Sequence, residues 1–91
     1  MSARREVCIS NKLGLHARPA AHLVKHVRTF RSEIWLVTGA GRFSASSLID
    51  VLRANLDYGA DVTLEAHGTD AEEAVERLQT ILGELDKFDE S

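Results

Sequence analysis

Apolar side chains recur at helical spacing in three stretches of this chain and alternate with polar side chains in the others. The first helical stretch, residues 16–30, has apolar side chains at intervals of three and four: Ala20, Leu23, Val24, Val27 and Phe30. Its opposite side carries Arg18, His22, Lys25 and Thr29. This division predicts an amphipathic helix that buries one face and leaves the other in solvent.

Two further stretches predict helices. Residues 47–56 favour a short helix capped by Ser46 or Ser47, with apolar side chains at Leu48, Ile49, Val51, Leu52 and Leu56. In residues 69–85 one continuous apolar stripe is formed by Ala71, Ala74, Val75, Leu78, Ile81, Leu82 and Leu85. The letters TDAE at residues 69–72 match a capping box, so we expect the last helix to begin there and to pack on the sheet.

The remaining apolar segments predict four strands. Residues 6–10 give the first, with Val7 and Ile9 on one face. Residues 33–37 and 42–45 predict a hairpin around a glycine-containing turn at 38–41. Residues 61–66 alternate polar and apolar, as in a strand covered on one side only.

This order of elements, βαββαβα, predicts a two-layer α+β sandwich with an antiparallel sheet. A chain of 91 residues has room for one small core, and it contains no internal repeat or linker. We therefore expect a single domain over residues 1–91, with a short acidic tail at about residues 86–91 that frays.

Composition indicates the cellular compartment of the protein. No apolar run approaches the roughly 20 residues of a membrane span, and the first residues do not resemble a secretory signal. The chain has one cysteine, Cys8, which excludes an internal disulfide and fits a reducing compartment. We expect a cytoplasmic protein in which Cys8 is a buried strand residue.

Charge is divided unevenly along the chain. Residues 1–45 hold eight Lys and Arg against two Asp and Glu, and residues 46–91 hold three against twelve, which gives +6 and −9. A basic first half would attract acidic or phosphorylated partners. The acidic second half argues against nucleic acid as a ligand.

The segment NKLGLHARPA at residues 11–20 carries the candidate chemistry. Pro19 suits the first turn of a helix, so the helix is expected to start near His16, where first-turn N–H groups favour an anion. Arg18 can bind phosphate oxygens bidentately, and a neutral imidazole beside it is a nucleophile. A transient phosphohistidine at His16 fits this arrangement. From spacing alone, a solvated cap histidine and a plain surface arginine remain open alternatives.

The segment GLHARPA at residues 14–20 resembles the active-site signature of the HPr family, small phosphocarriers of the bacterial phosphoenolpyruvate-dependent phosphotransferase system. The letters SSLIDVL at 46–52 resemble the regulatory-serine segment, and residues 59–74 resemble the last strand and the start of the last helix. The resemblance implies a four-stranded sheet with three helices on one face. The lettering near residues 65–68 and 87–91 is closer to the nitrogen-branch relatives called NPr.

The resemblance also implies a function. His16 would accept a phosphoryl group on Nδ1 from phospho-Enzyme I and pass it to a histidine of an EIIA-type acceptor. Arg18 would stabilise the phosphate together with the backbone N–H groups of Ala17 and Arg18. Such a protein is a stoichiometric carrier rather than an enzyme, it uses no cofactor or metal, and it is expected to be a monomer.

Further residues take roles from the same resemblance. Partner contacts would fall on Leu48, Ile49, Leu52, Lys25 and Arg28, although leucine and isoleucine at helical spacing are as readily core residues. Ser47 would be modified by an HPr kinase/phosphorylase, or it is only a helix cap. A regulatory binding module controlled by phosphorylation at His16 or Ser47 is the alternative function.

Two histidines of the first helical stretch form one other constellation. His22 and His26 are four residues apart and could both ligate zinc from one helix face, but no acidic or cysteine ligand lies nearby in sequence and His67 is remote. We expect no metal site.

Overall fold

The computed structural model describes residues 1–88. Its strands are β1 (Ser2–Cys8), β2 (Glu33–Thr38), β3 (Gly41–Ser44) and β4 (Asp61–His67), and its α-helices are α1 (Ala17–Val27), α2 (Leu48–Arg53) and α3 (Ala71–Gly83). The strands form one antiparallel sheet in the order β1-β4-β2-β3. The prediction of an α+β sandwich with this element order and a four-stranded antiparallel sheet is confirmed.

The helices cover one face of the sheet and enclose the core. In β4, the alternate residues Val62, Leu64 and Ala66 are buried, and the apolar stripes of α1 and α3 close over them. Across the sheet, Leu64 is paired in register with Leu36 of β2, which is also fully buried. The alternating apolar residues of the strands and the apolar stripes of the helices therefore pack together in a single cluster, as the sequence indicated.

The first strand differs from its prediction. It begins at Ser2 rather than residue 6, because its pairing with β4 extends from Ser2 opposite His67 to Cys8 opposite Asp61. Ile9 is buried, but it follows the strand. Cys8 is exposed, so the expectation of a buried cysteine is wrong. The alternation in β1 places Ala3 and Val7 toward the helices, which turns Cys8 to the other face.

The predicted capping box at the start of α3 is absent. The N-cap residue is Asp70, and its side chain makes no capping hydrogen bond. Its carboxylate instead accepts hydrogen bonds from the backbone N–H of Arg31, at 2.9 Å, and from the N–H and hydroxyl of Ser32. Asp70 thus ties the loop before β2 to α3, and these hydrogen bonds, that of the Ser32 side chain first, lower the pKa of Asp70.

The helices end at earlier residues than the apolar patterns predicted. Helix α1 ends at Val27 and α2 at Arg53, while α3 ends at Gly83 and is followed by a 3₁₀ turn over Leu85–Phe88 that buries Leu85. The expected acidic tail therefore begins in ordered structure, and residues 89–91 lie outside the described part of the chain. No helix within residues 1–88 has the length and apolar character needed to cross a membrane.

The sheet face turned away from the helices carries a charged cluster. Glu65 of β4 accepts a hydrogen bond from Arg42 at 2.9 Å, contacts His67 at 2.8 Å and faces Arg4 at 4.0 Å. The Arg42 guanidinium also lies 4.3 Å from the ring centre of Trp35. The hydrogen bonds from His67 and Arg42 lower the pKa of Glu65.

Candidate functional site

His16 is the N-cap residue of α1, as its sequence position indicated. Its backbone is extended, with φ −81° and ψ −173°, and its carbonyl accepts the first intrahelical hydrogen bond from Ala20 at 2.9 Å. Pro19 is buried and has no N–H to satisfy. The backbone N–H groups of Ala17 and Arg18 precede that first bond, and such groups point outward from the start of a helix. The half-exposed imidazole therefore adjoins a site that favours anions.

The loop that presents His16 is fixed from both sides. Gly14 has φ +67°, and its N–H donates to the Asn11 carbonyl at 3.1 Å. The buried Asn11 side chain returns a hydrogen bond from Nδ2 to the Gly14 carbonyl at 2.7 Å. The Leu15 N–H donates to the Leu56 carbonyl at 2.8 Å, which joins the loop to the segment after α2. His16 therefore follows directly on a residue whose backbone is held in place.

The cations predicted for the site lie on the solvent side of α1. Arg18, two residues after His16, is exposed, and so are Lys25 and Arg28. The Arg28 side chain donates from Nε to the Ser46 carbonyl at 3.1 Å, so it also connects the end of α1 to the residue just before the α2 cap. None of these three positions contributes to the apolar core.

Helix α2 presents its apolar residues in two directions. Val51 is fully buried, whereas Leu48, Ile49 and Leu52 are 37%, 70% and 40% exposed. These three side chains therefore belong to the surface and not to the core. Ser47 is the N-cap residue, and its Oγ accepts a hydrogen bond from the Asp50 N–H at 3.3 Å, so the choice between Ser46 and Ser47 falls on Ser47.

Two shallow depressions flank α2. One lies between α1 and α2 and is lined by Ala21, Val24, Lys25, Arg28 and Leu48. The other contains His16, with Leu13, Leu15, Leu52, Asn55, Leu56 and Asp57 around it. The exposed leucines of α2 thus form one surface with the histidine on one side and two cations on the other.

Several supporting residues were not singled out from the sequence. The sequence gives no local signal for the hydrogen bonds made by the Asn11 side chain and by the Leu56 carbonyl. Asn55 has φ +51°, a left-handed conformation that asparagine tolerates better than most residues. An asparagine directly after a helical pattern is the one available indication of such an ending.

Among residues 1–88, the histidine pair on α1 does not belong to a larger cluster of metal-ligating side chains. The rings of His22 and His26 pack edge to face with centres 4.5 Å apart. Burial lowers the pKa of His22, and the nearby His26 and Lys25 lower it further against the opposing effect of Glu84. Within residues 1–88 no group of three or more metal-ligating side chains comes together, and His67 lies on the sheet beside Glu65.

Comparison with known proteins assigns the class, because the matching relatives are phosphocarrier proteins. The family model described as "PTS HPr component phosphorylation site" matches residues 3–84. The chain belongs to the HPr family of phosphotransferase-system phosphocarriers.

Individual relatives agree. The chain is 40% identical to the phosphocarrier protein HPr of Haemophilus influenzae over 89% of this chain and 93% of that one. It is 38% identical to the phosphocarrier protein NPr of Shewanella violacea, over 96% and 93%. These near-equal identities favour neither branch, so the leaning toward NPr stays a prediction.

Solved structures extend the likeness to the fold. The HPr-C-His structure from Thermoanaerobacter tengcongensis superposes with a TM-score of 0.88 at 33% identity, covering 93% of this chain and 96% of that one. An HPr dimer from the same organism also matches, with a TM-score of 0.66 at 36% identity, covering 89% and 88%. The expectation of a monomer therefore finds no support in these comparisons.

Proposed function

We propose that this protein carries a phosphoryl group on His16, received from phospho-Enzyme I and delivered to a histidine of an EIIA-type acceptor. The observation that carries the proposal is the position of His16 at the N-cap of α1, because the N–H groups of Ala17 and Arg18 that open the helix favour an anion there. Family membership supports it, because the matching relatives are phosphocarriers.

The transfer is an exchange between two imidazoles. The Nδ1 lone pair of neutral His16 attacks phosphorus, and the bond between phosphorus and the donor's ring nitrogen breaks. The proton already on the donor's other nitrogen makes its ring a neutral leaving group. His16 keeps the proton on its Nε2, so the same route runs in reverse toward the acceptor. No cofactor, metal or net hydrolysis enters this balance.

The surrounding groups act on charge and position. The N–H groups of Ala17 and Arg18 bind phosphoryl oxygens, and the exposed Arg18 guanidinium balances the negative charge that moves between the two proteins. Because Arg18 is exposed and outside the core, its role is separable from folding.

The partner-binding surface in this proposal is the one around α2. Its apolar centre is Leu48, Ile49 and Leu52, exposed beside the histidine, and its basic rim is Lys25 and Arg28. Exposed leucine and isoleucine side chains surrounded by polar groups are typical of a protein interface. Both Enzyme I and the acceptor would bind here in turn, in the cytoplasm.

The direct test is phosphate incorporation. The purified protein is incubated with phosphoenolpyruvate and Enzyme I from a bacterium whose HPr it resembles, and intact mass is recorded with and without acid treatment. We expect one acid-labile phosphate in the wild type and none in His16→Ala. His22→Ala, a histidine change in the same helix, should leave incorporation intact. Acid-labile phosphate on His16→Ala would contradict the assignment.

Arg18 is tested in the same assay. Arg18→Ala should slow transfer by about a hundredfold, which is the order found when one transition-state charge donor is removed. Arg77→Ala, an exposed arginine of α3, serves as the matched control and should be unaffected. Equal rates for the two variants would show that Arg18 is a plain surface residue.

A second function, regulation through Ser47, is favoured by one observation. Ser47 caps α2 directly before Leu48, so a phosphate there would place a dianion at the edge of the partner-binding surface. We propose that an HPr kinase/phosphorylase acts on it. Ser47→Asp keeps a capping oxygen and adds charge, so it should retain stability while transfer from Enzyme I slows. Thr80→Asp, which adds the same charge at an exposed position of α3, is the control and should transfer normally. Unchanged transfer in Ser47→Asp would oppose this regulation.

A further inference from the structure

We propose that Asn55 is a positioning residue for His16, acting through its left-handed backbone rather than through its side chain. The proposal rests on the phosphocarrier function proposed above, since it concerns the placement of the imidazole that receives the phosphoryl group. Its observations are the conformation of Asn55, the hydrogen bond from Leu15 to Leu56, and the close packing of Gly14 on the same segment.

Asn55 terminates α2 and reverses the chain. The C-cap residue of the helix is Ala54, whose N–H bonds to the Asp50 carbonyl at 3.0 Å, and the Asn55 N–H bonds to the Leu52 carbonyl at 3.2 Å. With φ +51°, Asn55 then leaves the helical path. A left-handed residue directly after the C-cap is a common way to end a helix, and glycine or asparagine takes it most readily.

The chain reversal places the next residue against the histidine loop. Leu56 is buried, and its carbonyl accepts the Leu15 N–H at 2.8 Å. A Cβ on Gly14 would lie 2.5 Å from the Leu56 oxygen and 2.8 Å from Cα of Asp57, so the two backbones are in direct contact. Between Leu15 and His16 there is one peptide bond. The path of residues 55–57 therefore sets where His16 begins its helix.

The side chain of Asn55 is exposed, and the residue lines the depression that holds His16. Two roles can thus be separated by substitution. Glycine keeps the left-handed backbone and removes the amide, whereas valine removes the amide and strongly disfavours a positive φ because it branches at Cβ.

The experiment measures initial rates of phosphoryl transfer from phospho-Enzyme I to Asn55→Gly and Asn55→Val, below the melting temperature of each. We expect Asn55→Gly to stay within about twofold of the wild type, and Asn55→Val to fall by about tenfold or more. Gln79→Gly, an exposed position inside α3 remote from the loop in sequence, controls for lost stability and should keep the wild-type rate at the same temperature.

A second readout follows the loop itself. Backbone amide exchange of Leu15, measured by nuclear magnetic resonance, should quicken by about tenfold or more in Asn55→Val and stay near wild type in both glycine variants. Equal loss of transfer in Asn55→Gly and Asn55→Val would mean that the amide contacts the partner, and unchanged transfer in both would mean no role; either result overturns the proposal.

The two proposals fail in different ways. If wild-type protein accepts no phosphate while a relative does in the same mixture, the phosphocarrier proposal fails. The placement of His16 by Asn55 is then decided by Leu15 exchange alone. If wild type accepts phosphate and Leu15 exchange is the same in all variants, the phosphocarrier function stands and the positioning role is overturned.

Discussion

At the scale of single residues, the site depends on a few backbone positions that have no reactive side chain. Gly14 combines a positive φ with direct contact against the Leu56 carbonyl, so it leaves no room for a side chain at all. His16 supplies the chemistry in our proposal, but Gly14 and Leu15 determine where that chemistry is presented.

Gly14→Ala tests this point. A left-handed conformation costs a non-glycine residue about 1–2 kcal/mol, and the contact with Leu56 adds to that cost. We expect the melting temperature to fall by at least about 4–8 °C, the shift for roughly 1 kcal/mol in a domain of this size. Phosphate incorporation should slow even where the variant is folded.

The matched control is Gly83→Ala. Gly83 is the last residue of α3, it has no positive φ, and a Cβ there would meet nothing within 4 Å. Alanine at such a position is expected to be neutral or to stabilise by about 0.4–1 kcal/mol. Thermal unfolding of the two variants, recorded side by side, decides between a local conflict at Gly14 and a general intolerance of glycine replacement.

Sequence reasoning identified the candidate residues of the site but missed the residues that support them, for a physical reason. His16, Arg18 and Pro19 are adjacent in sequence, so their meeting at a helix start is a local property that spacing can indicate. The bond from Leu15 to Leu56 joins positions 41 residues apart, which no local pattern contains. Likewise, residues 69–72 matched a capping box, yet the N-cap is Asp70, and its carboxylate binds Arg31 and Ser32, which lie far away in sequence.

At the scale of elements, Asp70 connects the loop between α1 and β2 to the start of α3. Gly68, with φ +151°, packs directly against Ser32, whose Cα would lie 2.7 Å from a Cβ at that glycine. The loop before β2 and the loop before α3 are thereby held as one unit. The lowered pKa of Asp70 makes this unit sensitive to acid.

Asp70→Asn should reveal that sensitivity. An unfolded aspartate has a pKa of about 3.9, and the folded value lies lower, so the ionised carboxylate stabilises the fold above pH 4. That stabilisation declines as the pH falls below 4 and through the folded pKa. We expect Asp70→Asn to melt at a lower temperature than the wild type at pH 7, with the difference shrinking toward pH 2.

The comparison needs a carboxylate that lacks these bonds. Glu76→Gln, on the exposed side of α3, should show no such convergence with pH. A difference between Asp70→Asn and wild type that stays constant from pH 7 to pH 2 would indicate that the amide itself disrupts the loop, rather than that a charge has been lost.

Element boundaries show where local patterns fall short of the fold. The apolar alternation at Val7 and Ile9 identified a strand but misplaced it, because β1 follows its partner β4 as far as Ser2. The alternation also turned out to orient Cys8 outward. Pairing between strands, more than the apolar content of either, fixes both ends of β1.

At the scale of the whole molecule, basic and acidic side chains lie on different sides of the partner-binding surface. Lys25 and Arg28 lie on the α1 side of the depression that Leu48 borders, while Asp57 lies on the far side of α2 near His16. Long-range attraction of an acidic or phosphorylated partner is the expected effect of the basic side.

Reversing that charge should slow encounter. Transfer from phospho-Enzyme I to the double variant Lys25→Glu with Arg28→Glu is expected to be at least about tenfold slower at low salt, with a weaker dependence on ionic strength than in the wild type. Arg77→Glu together with Lys87→Glu makes the same change in net charge outside this surface. Equal slowing in both double variants would show that only net charge matters.

The charged cluster on the opposite side of the sheet has a practical consequence. Trp35 is the single tryptophan of the chain, and it lies under Arg42 on the face that the helices leave uncovered. Its fluorescence emission should therefore report whether β2 and β3 stay paired, and it should not change when His16 is phosphorylated. The unfolding of the free and of the phosphorylated protein can thus be compared with one intrinsic probe.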